Sequence, residues 1–377
     1  MNAFSLTRFV AVVVKEFIQM RRDRLTFGML VGIPLMQLLL FGFAINSDPK
    51  HLPTALRVAD ESVFSRSLVT ALQNSEYFRI RERARNETEA RDLLARGEVQ
   101  FVVNVPQDFS RKLQRGERPV LLVEADASDP VATGNAIAVL SRLNLSGLDH
   151  DLGGPLARLK GENPPFEVRV HRLYNPEGIT QYNIVPGLMG VILTMTMVMG
   201  TGLAMTRERE RGTLENLLAT PVKPLEVTFG KIVPNIMVGY IQVSLILLAA
   251  HFVFDVPMLG SVPMLLACML AFVFANLAVG FTFSTLAKNQ MQAMQMTMFF
   301  FLPNILLSGF MFPFRGMPHW AQAIGEVLPL THFLRIVRGI LLKGNGAADI
   351  LPELWPMLAF LLGALTLALL RYRRTLD

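Results

Sequence analysis

The feature that most restricts this chain is a set of six long runs with no charged side chain. Residues 25–45, 183–205, 232–254, 262–287, 293–312 and 354–370 contain no Asp, Glu, Lys or Arg. A bilayer core about 30 Å thick is crossed by about 20 apolar residues at 1.5 Å rise each. The runs have spanning length, the last being the shortest. A buried soluble helix this long would keep a polar stripe; these do not. Their one histidine, His251, falls near the end of the third run and reads as interfacial rather than as a proton relay. Hydrophobic residues make up 51% of the chain and charged residues 18%, against about 25% charged in soluble domains. With 26 Phe, disorder is excluded as well. The first run is too long for a signal-peptide core and leaves through Phe43-Ala44-Ile45 without a cleavage-type ending, so it is expected to remain as a span.

Charge then orients the spans. Arg8, Lys15, Arg21, Arg22 and Arg24 precede the first, Arg207, Arg209, Arg211 and Lys223 follow the second, and Arg371, Arg373 and Arg374 follow the last. The positive-inside rule puts all three clusters, and both termini, in the cytoplasm. The net charge of +6 would suggest nucleic acid in a soluble protein. Here it is a topology signal, and no nucleic-acid partner is expected.

That topology leaves residues 46–180 outside the cytoplasm, with 18 basic and 19 acidic residues. Leu56–Ala59, Val99–Val105 and Pro119–Glu124 read as strands. Helical patterns run through Leu68, Leu72 and Phe78, over 86–96, over Pro106–Arg115 and near 135–148. His171 and Tyr174 read as strand-exit residues. The alternation predicts a compact α/β domain. The fold class is therefore an α-helical polytopic membrane protein of six transmembrane helices with an inserted extracytoplasmic α/β (α+β) domain. Its parts are an amphipathic helix over 1–24, spans over 25–45, 181–205, 232–254, 262–287, 293–312 and 351–370, the external domain over 46–180, a cytoplasmic loop over 206–231, interfacial or re-entrant helices over 313–350, and a tail over 371–377. Phe4, Phe9, Val13, Phe17 and Met20 supply the apolar face of the first part. Arg335 and Arg338 break the apolar pattern of 313–350, which argues against a span there.

The most specific segment is Arg207 to Pro221, RERERGTLENLLATP. It predicts a short helix of alternating charge with an apolar face of Leu214, Leu217 and Leu218 and a proline stop. Such a helix suits docking in a protein groove; the bland alternative is a juxtamembrane charge run. The segment resembles the coupling-helix motif of ABC-2 type transporter permeases, E-R-G-T-x-E-x-L-x-x-T-P, through Glu210, Arg211, Gly212, Thr213, Leu214, Glu215, Leu217 and Pro221. Lys15-Glu16, Arg21, Asp23 and Pro34, and Pro303 with Ser308-Gly309-Phe310, also resemble that family, as does the 313–350 segment. The large domain after the first span points to the multidrug-efflux branch.

The resemblance implies a bacterial inner-membrane permease that moves amphipathic or drug-like substrates outward. It implies a separate ATP-binding subunit at those motif residues, a second permease subunit, identical or paralogous, and a periplasmic membrane-fusion adaptor. No P-loop, G-x-x-x-x-G-K-[ST], occurs. ATP and Mg are thus expected on the partner, with no cofactor on this chain. The spans lack carboxylates, which counts against a secondary efflux transporter. A non-transporting sensor or assembly protein using the external domain is the other alternative.

Fifteen of the 20 methionines lie between Met189 and Met317. Met195, Met199, Gln295, Met298 and Asn304 form a candidate substrate path, since thioethers suit varied apolar ligands; ordinary interhelical packing explains them equally well. Ser47-Asp48-Pro49-Lys50 fits S-x-x-K without companion motifs, and H-E-x-x-H, G-x-S-x-G and histidine clusters are lacking. The chain is expected to have no catalytic residues. Its one cysteine, Cys268, excludes an internal disulfide and a multi-cysteine metal site.

Overall fold

The computed structural model describes residues 49–148, 150–153, 156–157, 164–210 and 224–372. The amphipathic helix over 1–24, the first span and the coupling motif from Arg211 to Pro221 lie outside the described residues, as does the tail from 373.

A five-stranded mixed sheet organises the first part of the fold. Its strands are β1 (Leu52–Val58), β2 (Phe78–Arg83), β3 (Phe101–Val105), β4 (Val120–Asp126) and β5 (Glu167–Leu173), in the order β2-β1-β3-β4-β5. Only β3 and β4 run antiparallel; the other neighbours are parallel. Helices α1 (Val63–Asn74), α2 (Glu87–Ala95), α3 (Phe109–Arg115) and α4 (Pro130–Ser146) connect them. β3 is buried along its whole length, as a sheet covered on both faces requires. Its Phe101 meets Phe78 edge-on at 5.2 Å, and Phe109 meets Phe166 at 5.8 Å. Ser62, Asn86 and Asp129 cap α1, α2 and α4 by accepting from backbone N–H groups, which satisfies donors a helix start leaves orphaned.

One strand escapes the sequence pattern, and another is marked in it only by the residues at its exit. Phe78 opens β2 instead of closing a helix, because α1 stops at Asn74 and Ser75 caps it. β2 is exposed from Arg81 on, and its apolar alternation is limited to Phe78 and Ile80, too short to announce it. β5 contains His171, with Tyr174 just beyond it.

The second part is helical: α5 (Thr180–Glu210), α6 (Pro224–Phe252), α7 (Val262–Leu286), α8 (Gln290–Leu307), α9 (His319–Gly325), α10 (Pro329–Arg338), a π-helical turn over Gly339–Lys343, and α11 (Ala347–Tyr372). Four of them, over 180–204, 234–252, 262–286 and 347–368, are long and apolar enough to cross a membrane. The helix expected over 293–312 spans Gln290–Leu307 instead. Asn289 caps its start, and the chain turns at Gly309, whose φ of +83° suits glycine. The last helix begins at Ala347, inside the segment expected to be interfacial.

The helical core forms where α5, α7 and α10 meet. Phe272 and Phe333 stack at 4.2 Å. Gly280 sits where a Cβ would lie 2.7 Å from the Val198 carbonyl oxygen, and Gly190 where one would lie 2.6 Å from Leu330. Such close approach is how membrane helices pack when no water drives them together. α5 and α7 are the central elements, with 61% and 56% of their apolar windows buried, whereas α11 has 17%.

Candidate coupling sites at the two ends of the helices

One residue of the coupling motif is described. Glu210, exposed at the end of α5, accepts from the Gln290 backbone N–H at 2.8 Å and from the Gln290 side-chain amide. These bonds hold its carboxyl below the usual range, since they favour the charged form. Arg207 Nε approaches Gln290 Oε1 at 3.5 Å. The point where the motif begins is therefore tied to the first residue of α8.

The five candidate path residues fall on two helices that pack together, with Gly202 of α5 facing Thr297 of α8. Met195, Met199, Gln295 and Met298 are half-buried and Asn304 is buried. Asn304 Nδ2 donates to the Phe300 carbonyl at 2.9 Å, while Asn304 Oδ1, Gln295 Oε1, Thr201 Oγ1 and Asn276 Oδ1 are buried acceptors without a protein partner. Among the described residues no hydrogen bond joins the five to one another.

At the other end, the α/β domain is held to the helices by a charged junction. α2 ends with carbonyls that its own ladder cannot satisfy. Lys343 Nζ donates to Leu94 O at 3.2 Å, Asn345 Nδ2 to Ala95 O at 3.1 Å, and Arg315 Nη2 reaches Gly97 O at 3.5 Å. Cations at this point also complement the negative end of the helix dipole. Lys343 closes the π-helical turn, where Gly344 takes φ +71°. Its ammonium also pairs with Asp126 at the end of β4, each side chain under 10% exposed. It lies 5.1 Å above the Tyr174 ring as well. Burial, and then the Asp126 charge, push the Tyr174 hydroxyl up to about 12. Arg96 pairs with Asp349 at 3.5 Å across the same boundary.

Behind this clamp sits Arg338, which donates to the Gly309 carbonyl at 3.1 Å while its Nε and Nη2 lack partners. Asp129, the cap of α4, faces it. Burial raises the Asp129 carboxyl above its ordinary value despite the Arg338 charge. Beside them His332 contacts Glu353 through Nδ1 at 2.6 Å and the Glu326 carbonyl through Nε2 at 2.8 Å. Arg335 bridges Glu326 at 2.7 Å and Glu353 at 3.3 Å. Burial pulls the His332 imidazole down, but the Glu353 bond and its neighbours outweigh this and leave it raised.

Nothing in this junction resembles a nucleophile with its base, and among the described residues no group of His, Cys, Asp and Glu could hold a metal. Its chemistry is that of a fastener. Motif reading missed it because its partners lie far apart, Lys343 and Asp126 by 217 positions. The available signal was three cations, Arg335, Arg338 and Lys343, in an otherwise apolar stretch.

A helical block with apolar residues turned outward, joined to an α/β domain, is the arrangement of a membrane protein. The chain belongs to the ABC-2 family transporter proteins, whose family model matches residues 24–370. It is 28% identical to the probable multidrug ABC transporter permease YbhS of Escherichia coli K12, over 99% of this chain and 98% of that one. It is also 28% identical to the probable multidrug ABC transporter permease YbhR of the same organism, over 93% and 94%. The inner membrane transport permease YhhJ is matched at the same identity over 91% and 93%. A solved domain from Thermotoga maritima aligns with 32% of the chain at 21% identity and a TM-score of 0.27, so the fold described above rests on the chain's own geometry.

Proposed function

We propose that this chain is the membrane-spanning permease subunit of an ATP-driven exporter for amphipathic or drug-like molecules. The observation that carries the reading is the family match across 24–370, joined to relatives named as probable multidrug ABC transporter permeases and matched over 98% and 94% of their length. Six spans place both termini in the cytoplasm and the α/β domain outside. A separate ATP-binding subunit holds ATP and Mg and docks on Glu210, Arg211, Gly212, Thr213, Leu214, Glu215, Leu217 and Pro221. Its closure pushes on α5 and, through Glu210 and Gln290, on α8, which flank the proposed substrate path. A second permease subunit completes the pathway, and its contact falls on the exposed apolar faces of α6 and α11, such as Ile241, Leu245, Leu358 and Leu362. The domain, fastened to α10 and α11, carries that motion to a membrane-fusion adaptor.

The test is an Arg211→Ala, Glu215→Ala double variant co-expressed with the ATP-binding subunit. The complex is expected to keep its composition and lose both ATPase stimulation and drug transport. Unchanged stimulation and transport would remove the coupling assignment.

A further inference from the structure

Between the outer edge of the sheet and the segment leading into α9 lies a cleft of about 880 Å³. Lys50, His51, Arg79, Arg81, Arg315 and His319 line it, and no Asp or Glu does. Glu76 engages Lys50 at 2.7 Å, so one charge is offset from outside; Arg79, Arg81 and Arg315 have no ion pair among the described residues. Arg315 is held below the ordinary guanidinium range, by burial first and then by Arg335 and Arg81, which together outweigh the opposing charges of Glu326 and Glu353. Like charges gathered in a partly dry cleft repel unless an anion joins them. The cleft also borders Phe78 through Arg81 of β2, the edge strand of the sheet, whose outward backbone groups have no strand partner among the described residues.

The surroundings of the cleft are apolar. Trp320 and Ile324 on α9 are each 45% exposed and Val327 just beyond is 64% exposed, a row that suits the boundary between headgroups and acyl chains. Lys50 lies five residues past the apolar run 25–45, within about 18 Å of its end even fully extended. A basic cleft with an exposed tryptophan-bearing helix at its mouth matches both halves of an anionic amphiphile.

We propose that the cleft between β2 and α9 binds the phosphate headgroup of an anionic phospholipid, with the acyl chains lying along Trp320, Ile324 and Val327. The inference rests on the reading that α9 lies at a membrane surface. It needs no ATP, so it stands or falls separately from transport.

The chain has two tryptophans, and Trp355→Phe leaves Trp320 as the sole emitter. The full chain carrying that change is placed in phosphatidylcholine vesicles containing phosphatidylglycerol or phosphatidylcholine with a quencher near the headgroup. Labelled phosphatidylglycerol should quench Trp320 at a mole fraction at least about fivefold lower than labelled phosphatidylcholine, the effect of a single arginine at an anionic surface. Arg79→Gln with Arg81→Gln, both exposed on β2, should bring the two curves together while the protein elutes and melts as before. Inorganic phosphate at millimolar concentration should leave the phosphatidylglycerol curve in place. Equal quenching by both lipids in the parent, or an undiminished preference in the double variant, would overturn the proposal. Displacement by inorganic phosphate would do so too, by making the ligand a free anion.

Discussion

The α/β domain and the helical block solve the same burial problem in opposite directions. In the domain, Phe78, Phe101, Phe109 and Phe166 are inside, while Arg79, Arg81 and Arg83 face out. In the helical block, Met237, Ile241, Leu245, Leu362 and Leu367 face out, while Thr194, Asn276, Thr297 and Asn304 are inside. Water surrounding one part and an apolar environment the other accounts for the inversion, because each surface matches its own surroundings. The junction has to satisfy both regimes at once. It does so with ions shielded on both sides, and Lys343 bonds the last turn of a domain helix from the end of a π-helical turn. Such turns are rare and concentrate at functional positions.

The sharpest way to break the contrast is at that seam. Lys343→Met leaves Asp126 buried and unpaired, and should lower stability by about 3–5 kcal/mol, read as a fall in the midpoint of thermal unfolding. Pairing it with Asp126→Leu should recover most of the loss, since two apolar groups of similar volume need no counter-charge. A double variant as unstable as the single one would show that the pair is not the fastener.

Inside the helical block, Gly280→Leu forces a side chain into the Val198 backbone and should cost about 1–3 kcal/mol. Gly363→Leu in α11, where a Cβ meets nothing within 4 Å, should leave the melting curve unmoved. In the water-exposed half, Asn86→Ala removes the bond to the Glu89 N–H at 2.8 Å and should cost about 1 kcal/mol.

A smaller effect is set by pH. His332 is raised above its ordinary value in the folded state, so its protonated form stabilises the junction. That contribution is complete below the ordinary histidine pKa of about 6.5 and is lost as pH rises through the folded value. Melting temperature should therefore decline from mildly acidic to alkaline pH, and His332→Gln should flatten the slope. A steeper decline in the variant would assign the effect elsewhere.

The two halves also differ in how far their sequences announce them. α7 is legible because twenty-six consecutive residues from 262 to 287 carry no charge, and its helix ends within one residue of that run. β3 is legible because a fully buried strand reads as a near-continuous apolar stretch, here broken only by Asn104. β2 is not, since an edge strand written RIRER after Phe78 alternates only through Ile80 before becoming wholly charged and exposed. Likewise the length of α8 hinged on Gly309, whose turn cuts short an otherwise continuous apolar run. Of the coupling motif only Glu210 is described, and its tie to Gln290 across 80 positions has no local signal. The junction was half legible: cations standing in apolar sequence mark a site, but the pairing of Lys343 with Asp126 is tertiary.

The most direct test of the central claim is drug uptake into inside-out vesicles containing this chain and its ATP-binding subunit. Uptake is predicted to require ATP and to vanish when the ATP-binding subunit carries an inactivating change in its own phosphate-binding lysine. Uptake that persists in that variant, driven by a proton gradient alone, would contradict the account.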